Sequence, residues 1–175
     1  MRRPSQQVLD IVGTVVRLGL ATVWLISGTI KASNPGQTYI AVQAYDVLPE
    51  GLVRPLAIAM PLLELVLGVF VLAGLATRIA AGLSVLVLVA FIAAIAQSWA
   101  RGLTIDCGCF GGGGQVEAGQ TQYPREIAVD VGYLLLAGWL LWRPRTLFSV
   151  DGWFGRGRGN SSEPVDDYSG EPERT

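Results

Sequence analysis

The chain has 175 residues, 51% hydrophobic and only 15% charged, against about 25% charged in a soluble domain. Its net charge of −1 gives no electrostatic reason to expect nucleic acid as a partner. It contains no histidine, which excludes histidine-ligated haem, the usual catalytic zinc sites and any Ser-His or Cys-His catalytic pair.

The apolar residues fall into four runs. Residues 11–30 form the first, interrupted only by Arg17, and residues 56–75 the second, interrupted by Glu64. The third, 79–100, is uncharged, and the fourth, 127–142, contains Asp130. A helix needs roughly 17–25 residues to span a bilayer core. The first three runs meet this directly; the fourth does if its helix begins near Pro124, since proline suits a first helical turn. The expected fold is therefore all-α, a polytopic membrane protein built as a four-helix transmembrane bundle, with the lipid bilayer as its surroundings. The first run carries Arg17 and ends in Thr29-Ile30-Lys31-Ala32-Ser33, not a small-x-small cleavage site, so it is expected to be a retained helix rather than a signal peptide.

Four spans place both termini on one side, with Arg2, Arg3, Arg78, Arg143, Arg145, Arg156 and Arg158. The other side holds Lys31, Arg54, Arg101 and Arg125. The excess predicts cytoplasmic termini in a multi-pass protein of the cell (plasma) membrane. The organisation expected is a cytoplasmic N-terminus over 1–10, a transmembrane domain over 11–145 with an extracytoplasmic loop at 101–125, and a disordered cytoplasmic tail over 146–175. That tail is rich in Gly, Ser, Pro and acids and has little apolar surface to bury. In the 32–51 connection, Tyr39, Ile40, Val42, Tyr45, Val47 and Leu48 suit one face of a short interfacial helix covering the other external loop.

That loop carries the sharpest local feature, Asp106-Cys107-Gly108-Cys109-Phe110 followed by glycines 111–114. A disulfide between residues two apart needs Cα atoms within about 7 Å and a sharply bent backbone. Gly108 permits that bend. Such a bridge restrains almost no unfolded-chain entropy, so it is a poor staple, while strained, exposed disulfides are the labile kind. Cys107 and Cys109 are therefore the candidate redox pair. Competing readings are capture of Cu(I) by two soft thiolates and an inert or structural role. The glycines lack the flanking pattern of a phosphate loop; their expected role is to let the loop move toward a partner. Cys109, beside them, is then the outward-facing thiol and Cys107 the resolving one. Asp106 should disfavour a thiolate at Cys107 and Arg101 should favour it.

Ionisable groups inside spans are costly and need partners. The depths of Arg17 and Glu64 differ by roughly 7–8 Å at 1.5 Å per residue, within reach of an arginine, so a buried Arg17–Glu64 pair is expected, either fixing helix register or forming a proton or ligand site. Asp130, Lys31, Gln97 and Ser98 lie toward the cysteine side, where a cluster would move protons as thiols and disulfide interconvert; the simpler alternative is an interfacial Asp130–Lys31 pair.

Ser27-Gly28-Thr29-Ile30-Lys31, the Pro61-Leu-Leu-Glu64 element with Gly68, and above all Asp106-Cys-Gly-Cys-Phe-Gly111 resemble the MauE family of methylamine utilisation membrane proteins, related to the DoxX-like membrane proteins. The resemblance spans roughly residues 8–145. It implies a four-helix membrane protein acting alongside an extracytoplasmic thioredoxin-like partner in maturing disulfide-containing proteins such as methylamine dehydrogenase. The functional expectation is thus a membrane thiol–disulfide redox protein, with Cu(I) binding or a non-catalytic assembly role as alternatives. A quinone in the bundle would make it an oxidant, although the sequence contains no quinone motif.

Overall fold

The computed structural model describes residues 4–117 and 119–144, with side chains from Gln6 on. Its elements are α1 (Pro4–Ser33), α2 (Pro35–Ala44), α3 (Glu50–Ala73), α4 (Thr77–Ala100), β1 (Ile105–Asp106), β2 (Gly114–Gln115) and α5 (Tyr123–Trp142). Three helical stretches, Gln6–Ser33, Glu50–Ala73 and Thr77–Ala100, are long and apolar enough to cross a membrane. α5 is 20 residues long and carries Arg125, Glu126 and Asp130, which lower its hydropathy. The expected tail over 146–175 lies outside the described residues.

Helix boundaries follow local chemistry. α1 begins at Pro4, well before the apolar run, so residues 4–10 are helical. α2 and α5 both start with proline in the first turn, where its missing N–H costs nothing. α3 ends at Gly74 in the left-handed conformation (φ 64°), whose N–H closes on the Phe70 and Val71 carbonyls. The expectation of an all-helical chain needs one small correction. Ile105–Asp106 pairs antiparallel with Gly114–Gln115, closing the cysteine loop as a two-stranded ribbon.

The four long helices pack as two pairs, α1 on α3 and α4 on α5, with α1 also touching α5. Leu20, Ala21 and Trp24 of α1, Leu67 and Val71 of α3, Ala80, Ala81 and Leu88 of α4, and Ala137 and Leu140 of α5 meet in one core. Large apolar side chains such as Val15, Leu62, Val66, Leu86 and Leu135 lie exposed on the outer faces. A water-facing surface does not carry so much contiguous apolar area; a lipid-facing one does.

Where α1 crosses α3 the seam is cut for close approach. A Cβ on Gly28 would sit 2.9 Å from Leu65 Cγ and 3.1 Å from Glu64 Cβ. One on Gly68 would lie 2.7 Å from Leu25 Cγ. Small residues let helix backbones come together in lipid. The N-terminal turns of α3 overhang the end of α1 and pack instead on α2, through Val53 and Ala57 against Val42. That offset brings Glu64, in the middle of α3, level with Lys31 near the end of α1.

Candidate functional site: a dithiol loop seated on a buried ion pair

Lys31 and Glu64 form a buried salt bridge with side chains 7% and 0% exposed. This corrects the expected Arg17–Glu64 pair: the carboxylate is taken by Lys31. Arg17 is itself buried and has an interaction partner of its own. Lys31 also donates to Ser27 Oγ at 3.0 Å, and Ser27 donates to the Cys109 carbonyl at 2.7 Å. A continuous hydrogen-bonded chain thus runs from the ion pair to the backbone of the cysteine loop. Lys31 Nζ lies 5.2 Å from the centre of the Phe91 ring, a cation–π distance.

The loop is pinned at several further points. Tyr45 Oη donates to the Cys107 carbonyl at 3.1 Å, and Gln37 Nε2 to the Gly113 carbonyl at 2.7 Å. Below it, Tyr123 Oη accepts from Ile105 N and donates to the Leu103 carbonyl. Asp106 works inside the loop, its two oxygens accepting from Gly108 N at 3.3 Å and Gly113 N at 3.2 Å.

The glycines have a different role from the one expected. Gly108 and residues 111–114 all have positive φ, and several are crowded. A Cβ on Gly113 would lie 2.5 Å from Ala41 Cβ, and one on Gly108 3.0 Å from the same atom. The run fits the loop tightly against α2, whose buried face is Thr38, Ala41 and Val42. Ile40 also packs on the loop, its Cγ2 3.0 Å from where a Cβ on Gly114 would stand, while Val47 lies beyond the end of α2.

Both cysteines are free and partly buried. Cys109 N donates to Cys107 Sγ at 3.3 Å. The Cys109 thiol is held well above its ordinary pKa by its hydrogen bond to Cys107 and by burial, with Asp130 adding negative charge nearby and Lys31 opposing. The Cys109 N–H thus points at Cys107 sulfur. Burial, with the two thiols beside it, also holds the Tyr45 phenol well above its ordinary range, so it remains a donor.

Among the supporting residues, Lys31 reaches the loop through Ser27, Asp106 braces it from within and Gly108 shapes it. Asp130 is buried in α5, with one carboxylate oxygen lacking a hydrogen-bond partner. It lies near enough to Lys31 and Cys109 to interact electrostatically, while the Lys31 ammonium donates to Ser27 and Glu64. Arg101 is placed elsewhere than expected: its guanidinium pairs with Asp46 at 2.7 Å and donates to the Tyr45 and Asp46 carbonyls, bracing α2 rather than a thiol. Gln97 joins that brace through the Tyr45 carbonyl.

Glu126, unforeseen, lies beside Cys107. Asp106, Cys107 and Glu126 each bring one ligand atom within 4.8 Å of the others. Two hard carboxylates and one soft thiolate make an ill-matched metal set, and Asp106 is already engaged by the loop. Glu126 interacts with both the backbone and the thiol of Cys107, the position of a proton acceptor. The available clue was a carboxylate in the first turn of the helix after the cysteine loop. Ser27 was marked in sequence as the first residue of the Ser27-Gly28-Thr29-Ile30-Lys31 element, one helical turn before Lys31.

No curated protein and no solved structure matches the chain. The family model described as Methylamine utilisation protein MauE matches residues 9–143, covering the cysteine loop and nearly all of the four long helices. With apolar spanning helices and that match over most of its length, the chain belongs to the MauE family of membrane proteins.

Proposed function

We propose that the chain is a four-span membrane thiol–disulfide redox protein whose Cys107–Cys109 pair exchanges electrons with an extracytoplasmic thioredoxin-like partner. The observation that carries this is the pair itself: two unbridged thiols side by side, with the Cys109 N–H donating to Cys107 Sγ, on a loop held by Ser27 of α1, Gln37 of α2 and Tyr45 just after α2. α5 serves as the fourth span, and the termini are cytoplasmic. The family's link to methylamine utilisation makes disulfide-containing proteins such as methylamine dehydrogenase the natural clients.

Cys107 is the exchanging thiol in this reading, reversing the expectation from sequence. Glu126 takes its proton, and the thiolate attacks a partner disulfide. One S–S bond forms between the proteins while the partner's own bond breaks and releases a partner thiolate. Cys109 then attacks Cys107 sulfur, closing the intramolecular disulfide and freeing the partner's second thiol. The sequence runs backward equally well. Removing the resolving thiol should leave the mixed disulfide long-lived, so Cys109→Ala should accumulate a dithiothreitol-sensitive adduct and Cys107→Ala far less. Equal adducts from both would indicate nonspecific oxidation, and none from either would overturn the exchange mechanism. Stoichiometric copper retention without adducts would support the Cu(I) alternative.

A further inference from the structure

Beneath the cysteine loop, between the two helix pairs and α2, lies a cavity of about 150 Å³. An apolar cavity of about that volume takes up benzene in another protein, so this one has room for a single six-membered ring. Leu56, Met60, Phe91 and Ala94 supply apolar wall, and both cysteines border it. Lys31, Asn34, Gln37 and Tyr45 bring polar groups to the same space. Val47 and Leu56, also in the lining, are 53% and 39% exposed, so the cavity meets the outer surface at an apolar mouth beside the first turns of α3.

We propose that this cavity binds the ring of a membrane quinone, which accepts the electrons of the Cys107–Cys109 dithiol. This rests on the thiol-exchange reading and adds a direction to it: the chain becomes an oxidant of its partner. The step balances. Two S–H bonds break and one S–S bond forms, while two electrons and two protons pass to the quinone, whose carbonyl oxygens become the hydroxyls of a quinol. The apolar mouth lets an isoprenoid chain lie in lipid.

Other two-electron acceptors fit less well. A flavin or nicotinamide nucleotide carries phosphates, which need cationic groups or a helix N-terminus. The one cation lining the cavity is Lys31, and Glu64 neutralises it. An acyl chain would fill the apolar part but has no use for a dithiol in the wall.

The test uses the full chain in detergent, reduced with dithiothreitol, desalted and mixed anaerobically with decylubiquinone. Quinone absorbance and free thiols are followed together. One quinol formed per two thiols lost is the expected result. Ala94→Phe, which fills the cavity from α4, and Leu56→Trp, at its mouth, should each slow quinol formation at least tenfold. Both should still react with oxidised glutathione at the unmodified rate, which also reports an intact loop. Oxidation by glutathione disulfide without quinol formation would overturn the cavity assignment and leave thiol exchange standing. Failure with both oxidants would overturn the two together. Quinone rates unchanged in both cavity variants would place the reaction at exposed thiols and also overturn the assignment.

Discussion

Along the α1–α3 seam, Gly28 and Gly68 bring two backbones together and Lys31 and Glu64 join them by charge. Along the α4–α5 seam, Ala81, Leu88, Ala137 and Leu140 make apolar contact, and the nearest side-chain atom to a Cβ on Gly82 would be Leu141 Cδ1 at 3.7 Å. In lipid, apolar faces gain little from meeting each other rather than acyl chains. The α4–α5 seam therefore rests on packing and tolerates small shifts. The α1–α3 seam has one register, because only one lets the two charges meet, and the cysteine loop hangs from it through Ser27.

The largest effect should come from breaking that charge pair. Lys31→Met strands Glu64 in the core and should destabilise by about 3–5 kcal/mol. Lys31→Met combined with Glu64→Leu should cost less than the single change. Reversible unfolding in detergent or bicelles measures both, and equal losses would remove the distinction between the seams.

A milder test makes the same substitution on each side. Gly68→Ala forces a Cβ into Leu25 and should cost about 1–3 kcal/mol as overpacking. Gly82→Ala meets only an ordinary van der Waals contact with Leu141 and should gain about 0.5–1 kcal/mol from helix propensity. The opposite signs, read in the same unfolding assay, are the expected signature; a loss at both positions would mean the seams are equally tight.

The smallest effect concerns the thiols that the polar seam carries. Cys109 keeps its proton above the ordinary thiol range, chiefly through its hydrogen bond to Cys107. Because only the thiolate reacts, its alkylation by iodoacetamide should stay slow through the usual thiol titration range and rise only at higher pH. In Cys107→Ala that rise should move to lower pH. Mass spectrometry of the two sites resolves this, and an unmoved profile would assign the shift to burial alone.

The apolar runs located α1, α3 and α4, and Pro124 located the start of α5, because length and hydrophobicity are local properties. The ion pair was not legible. Depths counted from run boundaries could not reveal that α3 begins at Glu50 and overhangs α1, which lifts Glu64 to the level of Lys31. The glycines of the loop were visible, but composition does not separate a flexible glycine from a crowded one. Ala41, against which Gly108 and Gly113 press, lies far away in sequence, in α2. Glu126 went unnoticed for the same reason: its role comes from a neighbour nineteen positions away in sequence that only the closed ribbon brings beside it.

The positive-φ glycines also shape what random mutation would find in this chain. At Gly108 and Gly113 both the handedness of the backbone and the nearness of Ala41 oppose any side chain, most strongly at Gly113, where a Cβ would lie 2.5 Å from Ala41 Cβ. A saturation library scored for activity would therefore mark these two positions as heavily as the cysteines, although neither has a side chain to lend to chemistry. Their intolerance would trace the floor on which the dithiol stands. Substitutions that enlarge residue 41 should fall into the same genetic class as changes in a loop more than sixty positions away.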